Sequence, residues 1–382
     1  MAQDPVELTQ ALIRCPSVTP IEGGALDLLQ GVLETLGFTC HRLPFQEAGT
    51  ERVDNLYARI GSSGPVFCYA GHTDVVPLGE KADWSVDPFA AEIVGEDLIG
   101  RGAVDMKGSI AAFAAAVSRF LERRGPDFGG SIAFLITGDE EAEAVNGTVK
   151  MLGWLKERGE TLDHCLVGEP TSDQRLGDMV KIGRRGSMNG RLTVKGVQGH
   201  TAYPQLADNP AHSLVAMLGE ITAEPLDGGS EHFPPSSLQI TTIDIANKAT
   251  NVIPGVARAA FNIRFNDLHD SAAIKRWVAE RLDRAGKPYE LEWSVSGESF
   301  LTPPGPLSDC ISRAIEAELG APPALGTTGG TSDARFIKSV CPVAEFGLRN
   351  ATAHKVDEQV PLAEIRTLTN IYERILEDYF GS

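Results

Sequence analysis

Three short apolar runs, each ending in glycine and then in acidic or histidine-bearing residues, constrain this chain more than any other feature. Residues 66–70 run into Gly71-His72-Thr73-Asp74, Ser131–Thr137 into Gly138-Asp139-Glu140-Glu141, and residues 162–167 into Gly168-Glu169-Pro170. Runs of this length bounded by glycine are the pattern of buried strands. Between the first two lies an alanine-rich stretch, 110–123, whose composition predicts a helix. Buried strands alternating with helices predict an α/β sheet, partly parallel and covered on both faces. In such a sheet ligands gather beyond the carboxyl ends of the strands, so side chains distant in sequence can converge there.

The N-terminal part adds helices over 4–13 and 24–36, and a strand over 55–60 that residues 61–64 turn into the run before His72. From about Ser187 the texture changes. Residues 188–197, 237–245, 256–266 and 288–295 alternate as half-exposed strands, separated by helices over 209–223 and 270–285. Four strands and two helices in that order predict a small α+β sandwich inserted in the larger domain. The larger domain resumes near Phe300, with a helix over 307–319, an apolar stretch at 342–347 and a last helix over 362–380. The expected division is therefore 1–182, an insertion at 183–297, and 298–382.

A formal net charge of -18 argues against a nucleic-acid partner or an anionic membrane surface. It leaves room for an anionic substrate, which a few converging basic residues can receive. The first residues carry acids where a secretory leader needs bases. No apolar run approaches the ~20 residues that span a bilayer. Cys15, Cys40, Cys68, Cys165, Cys310 and Cys341 are scattered without a C-x-x-C pair, which predicts free thiols and a cytoplasmic location.

Each acidic or histidine-bearing stretch has an ordinary reading. His72 and Asp74 suit a ligand imidazole with a carboxylate that orients it, but such triplets also occur in structural loops. Asp105, just before the alanine-rich helix, could cap it. Glu140-Glu141 could be a solvated pair, Glu169 a loop carboxylate and His354 a surface residue. Their combination carries more. Carboxylates brought together without cations repel one another, so convergence implies metal. Two imidazoles and several carboxylates without thiolate suit Zn²⁺, with Co²⁺ or Mn²⁺ as substitutes, better than Ca²⁺ or Mg²⁺. Two zinc ions are balanced by Asp105, Glu141, Glu169 and a bridging hydroxide, which leaves Glu140 free as a base.

The blocks GHTDVVP (71–77), GRGAVDMKG (100–108), GDEEA (138–142), GEP (168–170) and NATAHKVDE (350–358) resemble the signature blocks of the co-catalytic zinc aminoacylase and deacylase family of metallopeptidases. KIGRRGS (181–187), GVQGHTAYP (196–204), HFPPSSLQ (232–239), TNVIPG (250–255) and GGTSDARFI (329–337) resemble the branch of that family acting on dicarboxylic N-acyl amino acids. The resemblance implies an α/β, zinc-exopeptidase-like catalytic domain with a mixed sheet flanked by helices. That domain would be interrupted by an α+β two-layer, ferredoxin-like domain serving as lid and homodimer interface.

The resemblance further implies two Zn²⁺ per subunit, His72 and Glu169 holding one, Glu141 and His354 the other, and Asp105 bridging. Glu140 would be the general base and Asp74 would orient His72. His200 would stabilise the oxyanion in a partner subunit's site, though it could equally be a surface residue. Lys181, Arg184 and Arg264 are candidates for substrate carboxylates, and Tyr203, Asn251, Gly330, Thr331, Ser332 and Asn350 for neutral hydrogen bonds. The implied reaction is hydrolysis of N-succinyl-LL-2,6-diaminopimelate to succinate and LL-2,6-diaminopimelate by a metal-bridging hydroxide. An N-acyl-amino-acid deacylase acting on acetylornithine, an aminopeptidase, and a metal-binding relative without catalysis are the alternatives.

Overall fold

A computed structural model describes residues 3–381. The apolar runs are strands buried at every residue in Val66–His72 and Ser131–Thr137, as expected of strands covered on both faces. They sit centrally in an eight-stranded sheet whose order is Thr39–Arg42, Leu56–Ile60, Ser131–Thr137, Val66–His72, His164–Val167, Val343–Glu345, Met179–Lys181, Ala324–Gly326. Val66–His72 runs parallel to both neighbours, with His72 opposite Thr137 and Ala70 opposite Val167. Leu56–Ile60 pairs antiparallel with Ser131–Thr137, and Val343–Glu345 antiparallel with Met179–Lys181, so the sheet is mixed.

Residues 61–65 do not join neighbouring strands, because Ser131–Thr137 lies between Leu56–Ile60 and Val66–His72. Parallel neighbours need a long crossover, which the helix Lys107–Arg124 supplies between Val66–His72 and Ser131–Thr137. The middle of that helix is apolar on all sides, and Ile110 through Val117 are completely buried. Its alanines let Pro5–Ile13 and Leu362–Gly381 pack against it. Phe113 stacks on Tyr69 at 4.2 Å between ring centres and meets Phe134 and Tyr372 edge-on at 5.2 and 5.5 Å. Asp4 starts Pro5–Ile13 by accepting the N–H groups of Val6 and Glu7 at 2.8 and 3.1 Å.

The chain divides into two compact units, one made of residues 3–182, 302–326 and 332–381, the other of Gly183–Leu301 with Thr327–Thr331. The second has a four-stranded antiparallel sheet in the order Ser237–Asp244, Val256–Phe265, Gly186–Lys195, Glu290–Gly297. Pro210–Thr222 and Ser271–Arg284 share its core with Met188, Leu192, Val194, Phe261 and Ile263. The chain order strand, helix, strand, strand, helix, strand makes this unit ferredoxin-like. Among the described residues no helix is long and apolar enough to cross a membrane.

Removing the fully buried Phe113 ring by Phe113→Ala is expected to cost about 3–5 kcal/mol of stability. Denaturant unfolding measures this; a loss under about 1 kcal/mol would mean that the aromatic cluster closes over the gap.

Candidate metal centre

Three parallel strands deliver the candidate residues to one edge. His72 is the last residue of Val66–His72, Glu140 and Glu141 follow Ser131–Thr137, and Glu169 follows His164–Val167. Asp105 joins them because two glycines leave room. A Cβ on Gly71 would lie 2.5 Å from Met106 Cε, and one on Gly168 would lie 1.8 Å from the Tyr69 hydroxyl and 2.7 Å from Met106 Cε. Without those side chains, Met106 seats against both strand ends and carries Asp105 to them.

Two triads of donor atoms share Asp105: His72, Asp105 and Glu169, and Asp105, Glu141 and His354, with the donor atoms of each lying within 4.8 Å of one another. His72 Nε2 is 3.1 Å from Asp105 Oδ1 and 3.8 Å from Glu169 Oε1. His354 Nε2 is 3.1 Å from Asp105 Oδ2 and 2.9 Å from Glu141 Oε1. The Asp105 carboxylate thus faces one imidazole with each oxygen. A third group combines His72, Glu140 and Glu141. His72 Nδ1–H donates to the backbone carbonyl of Asp74 at 2.9 Å, which leaves Nε2 facing the carboxylates.

Electrostatics follow from this crowding. Burial opposes charge on His72, yet Asp105, Glu169 and Asp74 outweigh it and raise the imidazole well above its ordinary value. Hydrogen bonds to Asp105 and Glu141 push His354 up to about 10. Burial would raise Asp105, but His354 and His72 hold it well below the usual carboxylate range. Burial first, then Glu169, lifts Glu140 well above that range. The site therefore draws positive charge onto both imidazoles, where divalent ions could take the place of the protons. Imidazole nitrogens and carboxylate oxygens without thiolate make a donor set that fits zinc.

Other carboxylates hold the loops. Asp74 is 1% exposed, and burial raises it to about 6 against His72 and two backbone donors. Those donors are the N–H groups of Glu140 and Glu141, at 3.3 and 3.0 Å; the Asp74 carboxylate is 3.7 Å from His72 Nδ1. Asp139 accepts the N–H groups of Ala144, Val145 and Asn146 at 3.2, 2.9 and 2.7 Å, closing the loop behind the Glu pair. Glu358, completely buried, accepts those of Gly102, Val104 and Asp105. Sequence reasoning assigned no role to Asp139 or Glu358. The available signal was an acid beside the Glu140-Glu141 pair and another closing the block that contains His354.

The remaining candidates fall in separate places. His200 is exposed beside Tyr203, their ring centres 5.6 Å apart, and Val252, next to Asn251, pairs with it across a short two-stranded sheet. Arg184 Nη1 donates to the Gly330 carbonyl at 3.2 Å, near Thr331, and Arg264 Nε donates to Asn262 Oδ1 at 3.1 Å. Lys181 is buried in a strand, Asn350 is exposed, and the Ser332 hydroxyl donates to Glu345 at 2.9 Å inside the first unit.

Residues 68–378 match the model of peptidase family M20/M25/M40. A succinyl-diaminopimelate desuccinylase of Rhodospirillum centenum is 59% identical over 381 residues, covering 100% of this chain and 98% of its own length. The crystal structure of an M20 family metallo-carboxypeptidase from Sulfolobus solfataricus has the same fold, with a TM-score of 0.78, 16% identity and 100% coverage of both chains. A dinuclear metal binding peptidase of the M20 family from Bacillus subtilis aligns with a TM-score of 0.69 and 16% identity, over 97% of this chain and 96% of its own. With a family model matching most of its length and a relative this similar end to end, the chain belongs to peptidase family M20/M25/M40.

Proposed function

We propose that this chain is a metal-dependent amide hydrolase that cleaves N-succinyl-LL-2,6-diaminopimelate to succinate and LL-2,6-diaminopimelate, a step in making diaminopimelate and lysine. The observation that carries the reading is full-length 59% identity to a desuccinylase in a chain whose His72, Asp105, Glu141, Glu169 and His354 converge beside Glu140. His72 and Glu169 would hold one ion, Glu141 and His354 the second, and Asp105 both. Zinc, or cobalt or manganese in its place, would supply Lewis acidity toward the scissile carbonyl and toward water.

The chain's own groups do the rest. Glu140 takes a proton from the attacking water at its carboxylate and returns it to the departing amine nitrogen. Its half-buried setting beside Glu169 favours that role, because a carboxyl group shifted upward is a more effective proton carrier near neutrality. Asp74 fixes the His72 ring through its carbonyl and holds the Glu140-Glu141 backbone through its carboxylate.

His200 acts on the oxyanion in the partner subunit of a homodimer formed through the ferredoxin-like unit. Its Nδ1 accepts the Ala202 N–H at 3.0 Å, so the neutral ring carries its proton on Nε2 and can donate there. Lys181, Arg184 and Arg264 receive the substrate carboxylates, Arg as a fork and Lys as a point charge. Tyr203, Asn251, Gly330, Thr331, Ser332 and Asn350 would add neutral contacts. A cytoplasmic enzyme suits the free thiols at all its cysteines.

Turnover of N-succinyl-LL-2,6-diaminopimelate should far exceed that of N-acetylornithine and of dipeptides; preference for either of the others would overturn the substrate assignment. Glu140→Ala should keep its fold and its metal while kcat falls by about 10²–10⁴, and retention of most of the rate would remove Glu140 from the chemistry. Mixing His200→Ala subunits with Glu140→Ala subunits should restore part of the activity. Mixed dimers as inactive as their parents would count against action across the interface.

A further inference from the structure

We propose that Glu358 is the positioning residue that sets Asp105 to be shared between two ions, so that capture of the second ion depends on it; this rests on the two-ion reading above. The loop ahead of Asp105 is wound around this one carboxylate. Glu358 Oε1 accepts the N–H groups of Val104 and Asp105 at 2.8 and 3.0 Å, and Oε2 accepts the N–H of Gly102 at 3.0 Å and Arg101 Nη1 at 2.9 Å. The backbone carbonyl of Glu358 also accepts the Gly100 N–H at 2.9 Å. Glu358 is 0% exposed and Arg101 2% exposed, so the pair is shielded from solvent. A carboxylate accepting charge-assisted and backbone hydrogen bonds in such a setting holds its loop far more rigidly than an exposed one.

The same pair reaches the other side of the centre. His354 stands four residues before Glu358 in the same block. Arg101 Nη1 also donates to the Lys355 carbonyl at 3.1 Å, and its guanidinium lies over the Trp84 ring at 5.1 Å. Between them the turn contains two non-glycine residues in the left-handed region, His354 at φ 62° and Asp357 at φ 55°, a conformation that persists only where its surroundings enforce it. Arg101 and Glu358 therefore tie the segment bearing His354 to the loop bearing Asp105.

Sharing makes this tie matter. A carboxylate serving one ion can rotate and still bind. A carboxylate serving two must offer Oδ1 toward His72 and Oδ2 toward His354 at once, the orientation seen here. Loosening the Asp105 backbone therefore weakens the second ion before the first. Loss of such outer partners costs about 10–100-fold in metal affinity.

The test uses the full chain stripped by chelator and titrated with Co²⁺ alone, followed by visible absorption and calorimetry. The unaltered protein should take two equivalents; a single equivalent would sink the two-ion reading itself. Glu358→Gln keeps the shape but replaces one of the two acceptor oxygens with an amide donor, so either Val104 and Asp105 or Arg101 and Gly102 lose their acceptor and the cluster that fixes Asp105 is broken. It should bind the first equivalent as before and the second about 10–100-fold more weakly, with kcat recovering at saturating Co²⁺ and KM unchanged. Both equivalents bound at unaltered affinity would overturn the proposal. If Glu358→Gln does not fold, Arg101→Gln should weaken the second equivalent selectively. A lower unfolding temperature with no selective loss of cobalt would show a brace of structure only, and would overturn the proposal as well.

Discussion

Asp105 lies with each of its carboxylate oxygens 3.1 Å from a different imidazole, and Glu140, Glu141 and Glu169 crowd the same volume. Gathering so much negative charge away from water is unfavourable unless cations and directed donors meet it. The rest of the first unit can be understood as the means of meeting it. The parallel strands bring the residues to one edge, and glycines at two strand ends let Met106 carry Asp105 alongside.

Carboxylates do two kinds of work in this unit. Some present oxygens to the centre. Asp74, Asp139 and Glu358 instead turn theirs toward backbone N–H groups and so hold the loops that carry the first kind. A loop beyond a strand end has unpaired N–H groups, and a buried carboxylate can accept several of them together. This answers the need for rigidity without bringing further bulk to the site. It also explains why an acid at 139 adjoins the Glu140-Glu141 pair and another stands at 358.

Much of the fold was legible in the chain because periodicity and capping are local. The helices Pro5–Ile13, Ala25–Thr35, Pro306–Leu319 and Leu362–Gly381 lie where apolar spacing and terminal residues place them. The second unit's four long strands and two helices follow their alternation in the same way. Thr148–Glu157 was not legible, since it starts after Gly147 with no side-chain cap and contains Gly153. Nor was the small sheet of Glu92–Val94, Asp97–Ile99 and Gln359–Pro361, whose first strand is exposed throughout and whose last comes from far along the chain. The insertion of Ser131–Thr137 between Leu56–Ile60 and Val66–His72 is a matter of topology, and no local pattern specifies it.

By itself the sequence determined most of the secondary elements, the donor types and the chemistry they suit, because each depends on residue identity and short-range spacing. Only the tertiary structure decided which oxygen meets which partner. It gave His72 Nδ1–H to the Asp74 carbonyl, the Asp74 carboxylate to the backbone of Glu140 and Glu141, and Glu358 to the loop of Asp105, 253 residues away. Such pairings arise when distant loops close on one another, and several acids of like chemistry could have filled each place. Closure of the chain selects among them, and spacing along it does not.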